Sequence, residues 1–175
     1  MADGTLKVGT ITNSAGSGNI TIGSGVTLLS NVPAFEATIT TEQNPSGSTD
    51  TLINFDNEVF DTDGAYDTTN KRFTVPSGKA GKYHFYCDVG IGSSTNSGLA
   101  QCQTYIYKNG VKTNTRTLFN SNNDGNGRYM QLTLLTTMDL VVGDYIEIYG
   151  RADLDSGTVE VRTAESRFGA YRIGA

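Results

Sequence analysis

The stretch that decides the fold runs Tyr83-His84-Phe85-Tyr86-Cys87-Asp88-Val89-Gly90-Ile91. Its odd-numbered positions hold aromatic residues, aliphatic residues and cysteine, whereas its even-numbered positions hold mainly polar residues and glycine. Strict alternation over this length is typical of a β-strand with one buried and one exposed face. The sequence therefore predicts a long central strand whose odd-numbered side chains point into a core.

Shorter runs of strand-forming residues lie on both sides of this stretch and are bounded by turn residues. The dipeptide Asn109-Gly110 separates two of them and predicts a β-hairpin, because both residues accept positive φ. About nine or ten strands and no helix are predicted, which favours a sandwich or barrel. The remaining runs are centred on residues 35–39, 52–55, 73–75, 102–106, 130–136, 145–149 and 168–173.

Composition and charge argue against several classes of protein. The net charge is −5 and no basic stripe is present, so nucleic acid is not an expected partner. No apolar stretch approaches the length of a membrane span, so no membrane partner is expected either. The start Met1-Ala2-Asp3-Gly4 lacks the features of a secretory signal, which predicts synthesis in a cytoplasm with reduced thiols. Cys87 and Cys102 are then small buried hydrophobes, with a disulfide between them as the open alternative.

A series of motifs in the second part of the chain resembles the globular head family of complement component one, q-subcomponent, and the related tumour-necrosis-factor family. The motifs appear in the family's order, which makes the set more specific than any one of them. They are Tyr66-Asp67, Phe73, Pro76, Gly81, Tyr83-His84-Phe85, Lys108-Asn109-Gly110, Leu140-Val141-Val142-Gly143-Asp144, Tyr145-Ile146-Glu147-Ile148 and Ser166-Arg167-Phe168-Gly169-Ala170-Tyr171.

This resemblance implies an all-β fold, a ten-stranded jelly-roll sandwich of the tumour-necrosis-factor type, as a head domain over residues 32–175. It also implies a closed homotrimer, in which three copies make heterologous contacts around a threefold axis. Tyrosines on the more polar strand faces suit such an interface, and a carbohydrate site is the alternative. The candidate interface residues are Tyr86, Tyr105, Tyr107, Tyr149 and Tyr171.

Residues 1–31 differ from the rest and form a predicted N-terminal arm. The segment has no aromatic residue and is rich in Gly and Ser, so it lacks the side chains to build its own core. It nevertheless carries apolar residues that can attach to a neighbouring surface by adding strands or exchange strands between copies, with a flexible linker as the alternative. The apolar residues are Leu6, Val8, Ile11, Ile20, Ile22, Val26, Leu28 and Leu29. The arm also resembles the starts of marine-phage virion proteins, which implies attachment to a phage major capsid protein or another virion protein.

Catalytic and metal chemistry have weak support in the sequence. His84 is the one histidine and lies on the polar side of the central strand, with no Gly-x-Ser-x-Gly nucleophile motif to accompany it. Asp61, Asp63 and Asp67 have a spacing that can ligate calcium, but the closing Glu of a calcium loop is missing. A polar turn in which these carboxylates bind their own backbone is the favoured interpretation. We expect no enzymatic activity and no cofactor.

Three kinds of function remain. The favoured one is a virion structural protein, a trimeric capsid decoration (cement) protein that stabilises a phage shell and is made in the host cytoplasm. The second is a tail-fibre or spike tip that binds a host receptor, and the third is a cellular recognition head of the complement type. A short arm fits decoration better than a fibre, which carries a long shaft, and the expected lack of a secretion signal weakens the third.

Overall fold

The structure is a computed structural model that describes Ser24 and residues 32–121 and 127–174. The predicted arm, residues 1–31, lies outside the described residues apart from Ser24, and so do its candidate attachment residues. Eleven strands lie in the described part of the chain. They are β1 (Ala34–Thr38), β2 (Thr51–Leu52), β3 (Asn57–Asp61), β4 (Tyr66–Asp67), β5 (Arg72–Thr74), β6 (Gly81–Ser93), β7 (Leu99–Lys108), β8 (Val111–Asn120), β9 (Tyr129–Leu140), β10 (Tyr145–Leu154) and β11 (Val159–Gly174).

The strands form two antiparallel sheets that pack face to face as a jelly-roll sandwich. Sheet A has the order β3-β1-β11-β6-β9, and sheet B has the order β4-β5-β10-β7-β8, with β2 also pairing with β10. Consecutive strands β6 and β7 therefore belong to different sheets. The all-β fold class and the jelly-roll architecture predicted from the sequence are confirmed.

The central strand predicted from alternation is β6, which lies between β11 and β9. The side chains of Tyr83, Phe85, Cys87, Val89 and Ile91 are all buried in the core between the two sheets. Because the side-chain period of a strand is two, the register of β6 fixes its even-numbered residues on the outer face of sheet A. This register places His84 opposite Thr137 and Tyr86 opposite Leu135.

The core is dominated by aromatic rings contributed by both sheets. Phe35 stacks on Tyr66 at 4.8 Å and on Phe73 at 5.1 Å between ring centroids, and it meets the edge of Phe168 at 5.0 Å. Stacked and edge-to-face pairs at these distances contribute about 0.5–1.5 kcal/mol each beyond the area they bury. Motif residues that carried the family resemblance, Tyr66, Phe73 and Phe168, are therefore core residues.

Local details differ from the sequence prediction in two places. The predicted strand at 52–55 is limited to Thr51–Leu52, because the chain leaves β10 after Ile53 donates to the Ile148 carbonyl. Ile53 and Phe55 are nevertheless buried as expected. Strand β3 was not predicted at all; its first four residues are exposed, so it has no alternating pattern to read. The predicted hairpin is present, with φ of 53° at Asn109 and 74° at Gly110.

Candidate functional site

The outer face of sheet A presents an ordered polar surface that we call the assembly face. It is formed by residues that the strand register places side by side on β1, β11, β6 and β9. Its central row runs from Glu36 through Gly169 and Tyr86 to Leu135, and the neighbouring row contains Arg167, Asp88 and Thr133. His84 and Tyr171 form a third row on the other side.

Tyr86 lies flat across the backbone of Gly169. A Cβ at position 169 would stand 2.3 Å from the Tyr86 Cζ and 2.7 Å from the Phe35 carbonyl oxygen, so only glycine fits beneath the ring. The Tyr86 hydroxyl donates to Glu36 Oε2 at 2.8 Å. Burial, followed by this hydrogen bond, raises the pKa of Tyr86 well above its ordinary value. The ring is therefore fixed in one orientation before any partner binds.

A charged pair fixes the next row. Asp88 is only 8% exposed, and it accepts from Arg167 Nε at 2.7 Å and from Thr133 Oγ1 at 2.5 Å. These contacts link the adjacent strands β11, β6 and β9 of sheet A. Charge-assisted hydrogen bonds of this kind are shorter and stronger than neutral ones, so they hold the side chains of Arg167 and Thr133 beside Asp88.

Exposed apolar side chains lie beside these polar networks. Leu135 is 62% exposed next to Tyr86, and Tyr171 and Ile173 are 45% and 53% exposed towards the end of β11. The ring of His84 lies 5.4 Å from that of Tyr171, and its Nδ1 is 3.2 Å from Thr137 Oγ1. Apolar and aromatic side chains set among fixed polar groups are typical of protein interfaces.

The assembly face is not flat, because it carries a raised segment with a hollow beside it. Between Arg162 and Arg167 the chain leaves its register with β6, and residues 163–166 arch over Gly90. Glycine is required there because a Cβ at position 90 would stand 2.8 Å from the Glu165 Cβ. Ser166 Oγ secures the arch by accepting from the Gly90 amide at 3.1 Å. A hollow of about 330 Å³ lies beside the arch and is lined in part by Glu36, Gln131 and Arg167.

The five tyrosines predicted for a trimer interface do not share one face. Tyr86 and Tyr171 lie on the outer face of sheet A, whereas Tyr105, Tyr107 and Tyr149 lie on the outer face of sheet B. On sheet B the rings of Tyr107 and Tyr149 stack at 3.9 Å, and the Tyr107 hydroxyl donates to Asp50 Oδ2 at 2.9 Å. Burial, followed by this hydrogen bond, raises the pKa of Tyr107 to about 12.

The acidic residues considered for calcium bind groups of their own turns. Asp61 accepts from the amides of Asp63 and Tyr66, and Asp67 accepts from the amides of Thr69 and Asn70. Hydrogen bonding from the Asn70 side chain is the main cause that lowers the pKa of Asp67.

Asp63 instead lies 3.5 Å from the Lys79 ammonium. Among the described residues, no group of three or more His, Cys, Asp or Glu side chains is placed to hold a metal ion.

The two cysteines are free thiols in the core. Cys87 and Cys102 are both buried, on β6 and β7, in opposite sheets. Burial raises the pKa of Cys102 to about 12 and that of Cys87 well above its ordinary value. Since the thiolate is the reactive form, neither side chain is poised as a nucleophile.

Several residues of the assembly face were not identified from the sequence. Arg167 directly precedes the predicted strand at residues 168–173, whereas Glu36, Asp88 and Leu135 lie at outward positions of predicted strands, so alternation places each of these three on an outward face. It could not show which outward faces adjoin, because that depends on strand order. Gly169 was noted as part of a motif, but its role beneath Tyr86 depends on a contact between strands.

No protein-family model matches the chain, and no curated protein matches it in sequence. Solved structures do resemble it. The globular domain of the zebrafish complement 1qA protein superposes with a TM-score of 0.56 at 12% identity, covering 81% of this chain and 97% of the zebrafish domain.

Murine APRIL, in crystals at pH 5.0, superposes with a TM-score of 0.58 at 13% identity, covering 81% of this chain and 99% of APRIL. At such identities the likeness shows a shared fold, the jelly roll of the complement and tumour-necrosis-factor heads. No helix among the described residues is long and apolar enough to cross a membrane.

Proposed function

We propose that this protein is a non-enzymatic assembly module that forms a homotrimer through the assembly face. The observation that carries the proposal is the combination, on one sheet, of a pre-ordered polar network and exposed apolar side chains. Tyr86 is held by Glu36 and Gly169 directly beside Leu135, which is 62% exposed. Holding Tyr86 in place before binding removes part of the entropy cost of association.

A ring of three copies is the closed form that such a face supports. The face differs from one end to the other, with the arch of residues 163–166 near one end and Tyr171 with Ile173 near the other. A face of this kind contacts a different surface of the next copy, which makes the interface heterologous. Heterologous interfaces build a closed ring when the rotation from one subunit to the next is a whole fraction of 360°. The fold shared with the complement and tumour-necrosis-factor heads favours three copies over other ring sizes.

The trimer proposal is tested by placing a charge on the assembly face. In sedimentation velocity at micromolar concentration the unaltered protein should be a trimer, and Leu135→Glu should shift it to monomer. The matched control is Leu118→Glu, since Leu118 is an exposed leucine, 45% accessible, on β8 of sheet B. A monomeric unaltered protein, or a Leu135→Glu protein that remains a trimer, would overturn the proposal.

The biological setting we propose is the outer shell of a phage, where trimers act as capsid decoration proteins. This rests on the sequence of residues 1–31, whose apolar residues suit strand addition to a coat protein, and not on the described head. Copy number per particle separates the alternatives. Hundreds of copies support decoration, a handful indicates a tail-fibre or spike tip, and absence from particles would point to a cellular recognition head.

Catalysis has no part in this proposal. His84 lies against Tyr171 on the assembly face, within hydrogen-bonding distance of the Thr137 hydroxyl. Its arrangement suits a packing residue at an interface better than a general base, which needs a nucleophile and an orienting acid within hydrogen-bonding reach.

A further inference from the structure

A hollow lies on the outer face of sheet B, on the opposite side of the sandwich from the assembly face. It forms where β8 leaves its register with β7: Arg116 pairs with Tyr105 and Lys112 pairs with Tyr107, so residues 113–115 stand opposite Ile106 alone. Thr113 Oγ1 secures this bulge by donating to the Ile106 carbonyl at 2.8 Å. Bulges frequently re-aim side chains beside functional sites.

The hollow has the size of a small-ligand site and a polar lining. Its volume is about 530 Å³, within the range of small-molecule sites, and it is lined by Tyr105, Lys112, Thr113, Asn114 and Arg116. Tyr105 is 3% exposed and forms the floor, although it lies outside the core between the sheets. The bulge places the amide side chain of Asn114, an exposed residue, at the rim.

The two cations of the hollow have different partners. Lys112 Nζ lies 3.4 Å from the centroid of the Tyr105 ring and 2.7 Å from Asp50 Oδ2, so its charge is largely matched. Among the described residues, Arg116 Nη1 donates to the neutral Gln103 Oε1, at 3.3 Å, and the Tyr105 hydroxyl donates to the same oxygen. Within the part of the chain that the structure describes, Arg116 has no carboxylate partner.

An arginine without an acidic partner among the described residues is notable in a protein whose net charge is −5. The Arg116 guanidinium is oriented through Gln103 and Tyr105, and a planar guanidinium recognises a carboxylate with two parallel hydrogen bonds. The geometry of the hollow therefore favours a ligand that brings one carboxylate to Arg116. It also favours hydroxyl groups on that ligand, because the Asn114 amide can both donate and accept.

We infer that this hollow binds an acidic sugar residue, with its carboxylate on Arg116 and a ring hydroxyl on Asn114. A hexose-sized ligand suits a volume of about 530 Å³ better than a bare carboxylate does. The inference goes beyond homotrimer formation and does not depend on it, since the hollow and the assembly face lie on different sheets. If the trimer forms through sheet A, it displays three such hollows on its outer surface.

The test titrates isotope-labelled protein with D-galacturonate and follows the backbone amide resonances. Saturable shifts confined to the bulge and its neighbours, with a millimolar dissociation constant, are the expected result. The methyl ester of galacturonate, which is neutral, should bind at least ten-fold more weakly. Arg116→Gln should weaken binding of galacturonate at least ten-fold, whereas Arg128→Gln, which alters an exposed arginine on the ring of Tyr129, should leave it unchanged.

Three outcomes would overturn the inference. Equal binding of galacturonate and its methyl ester would show that the carboxylate is not recognised. Binding of acetate as tight as that of galacturonate would show that Arg116 attracts any small anion and that the hollow makes no specific contact with the sugar ring. Tighter binding of a short poly-aspartate peptide than of oligogalacturonate would make the hollow a protein-docking site instead.

Discussion

Replacing Gly169 with alanine tests the central contact of the assembly face. The added Cβ would stand 2.3 Å from the Tyr86 Cζ and 2.7 Å from the Phe35 carbonyl oxygen. The ring must therefore lift from the sheet, and the pairing of β1 with β11 must shift as well, because the second contact is with backbone. Position 169 has no positive φ to strain an alanine, so the effect comes from packing alone.

The expected loss of stability follows from two contributions. Overpacking of a filled site costs about 1–3 kcal/mol. Lifting the ring also breaks the hydrogen bond from Tyr86 to Glu36, which contributes about 1 kcal/mol at this half-buried position. Gly169→Ala should therefore lower the free energy of unfolding by about 2–4 kcal/mol, equivalent to about 5–15 °C in Tm. It should also weaken trimer formation, because Tyr86 no longer lies flat beside Leu135.

The assay is urea unfolding at one fixed protein concentration, because the stability of an oligomer depends on concentration. Gly174→Ala is the matched control, since a Cβ there meets nothing within 4 Å. In a Tyr86→Ala background the ring clash disappears while the contact with the Phe35 carbonyl remains, so Gly169→Ala should cost about 1–2 kcal/mol less. An equal cost in both backgrounds, or a cost below about 0.5 kcal/mol in the unaltered protein, would refute the reasoning.

Two further predictions concern the hydrogen bonds of Asp144, just before β10, and the N-terminal arm, residues 1–31. Hydrogen bonds from Lys108 and then Asn109 lower the pKa of Asp144 from 3.8 to about 2, so its contribution to stability is complete above pH 3.8 and is lost as pH falls towards 2. Asp144→Asn should cost about 1–2 kcal/mol at neutral pH, and acid titration of unfolding should show a smaller loss across that window than in the unaltered protein; an unchanged acid profile would contradict this. Residues 32–175 expressed alone should stay a folded trimer but fail to bind phage particles stripped of this protein, whereas binding as tight as that of the full chain would show that the head itself attaches.

The sequence was most informative where burial follows the strand period. The alternation over residues 83–91 correctly placed Tyr83, Phe85 and Cys87 in the core and put His84, Tyr86 and Asp88 on the outer face of the sheet, where Asp88 is nevertheless buried by its neighbours. The Asn109-Gly110 turn was equally readable, since its geometry depends on two adjacent residues. Strand β3 had no such signal, because Val59 and Phe60 are both exposed and the strand is held by backbone pairing with β1.

The candidate site was less predictable because it depends on strand order. Tyr86 and Tyr105 both lie on outward faces, but β6 and β7 belong to different sheets, so the two rings lie on opposite sides of the sandwich. The alternation of side chains along a strand shows only whether a side chain points into or out of the core, so it cannot tell the outer face of sheet A from that of sheet B. The surroundings of Arg116 could not be predicted for a related reason, since they depend on a bulge that shifts β8 against β7.

The separation of the two faces matters for how the protein would recognise a polymer. A single hollow with one arginine and one amide supports only weak binding of one acidic sugar residue. Three hollows held on the outside of a trimer can engage one chain or one cell surface together, and the second and third contacts then form at a high effective concentration. If sheet A forms the trimer and sheet B binds the sugar, as we propose, each surface stays accessible while the other is occupied. On a phage shell the same arrangement would leave the hollows pointing away from the contacts between copies, where a host polysaccharide can reach them.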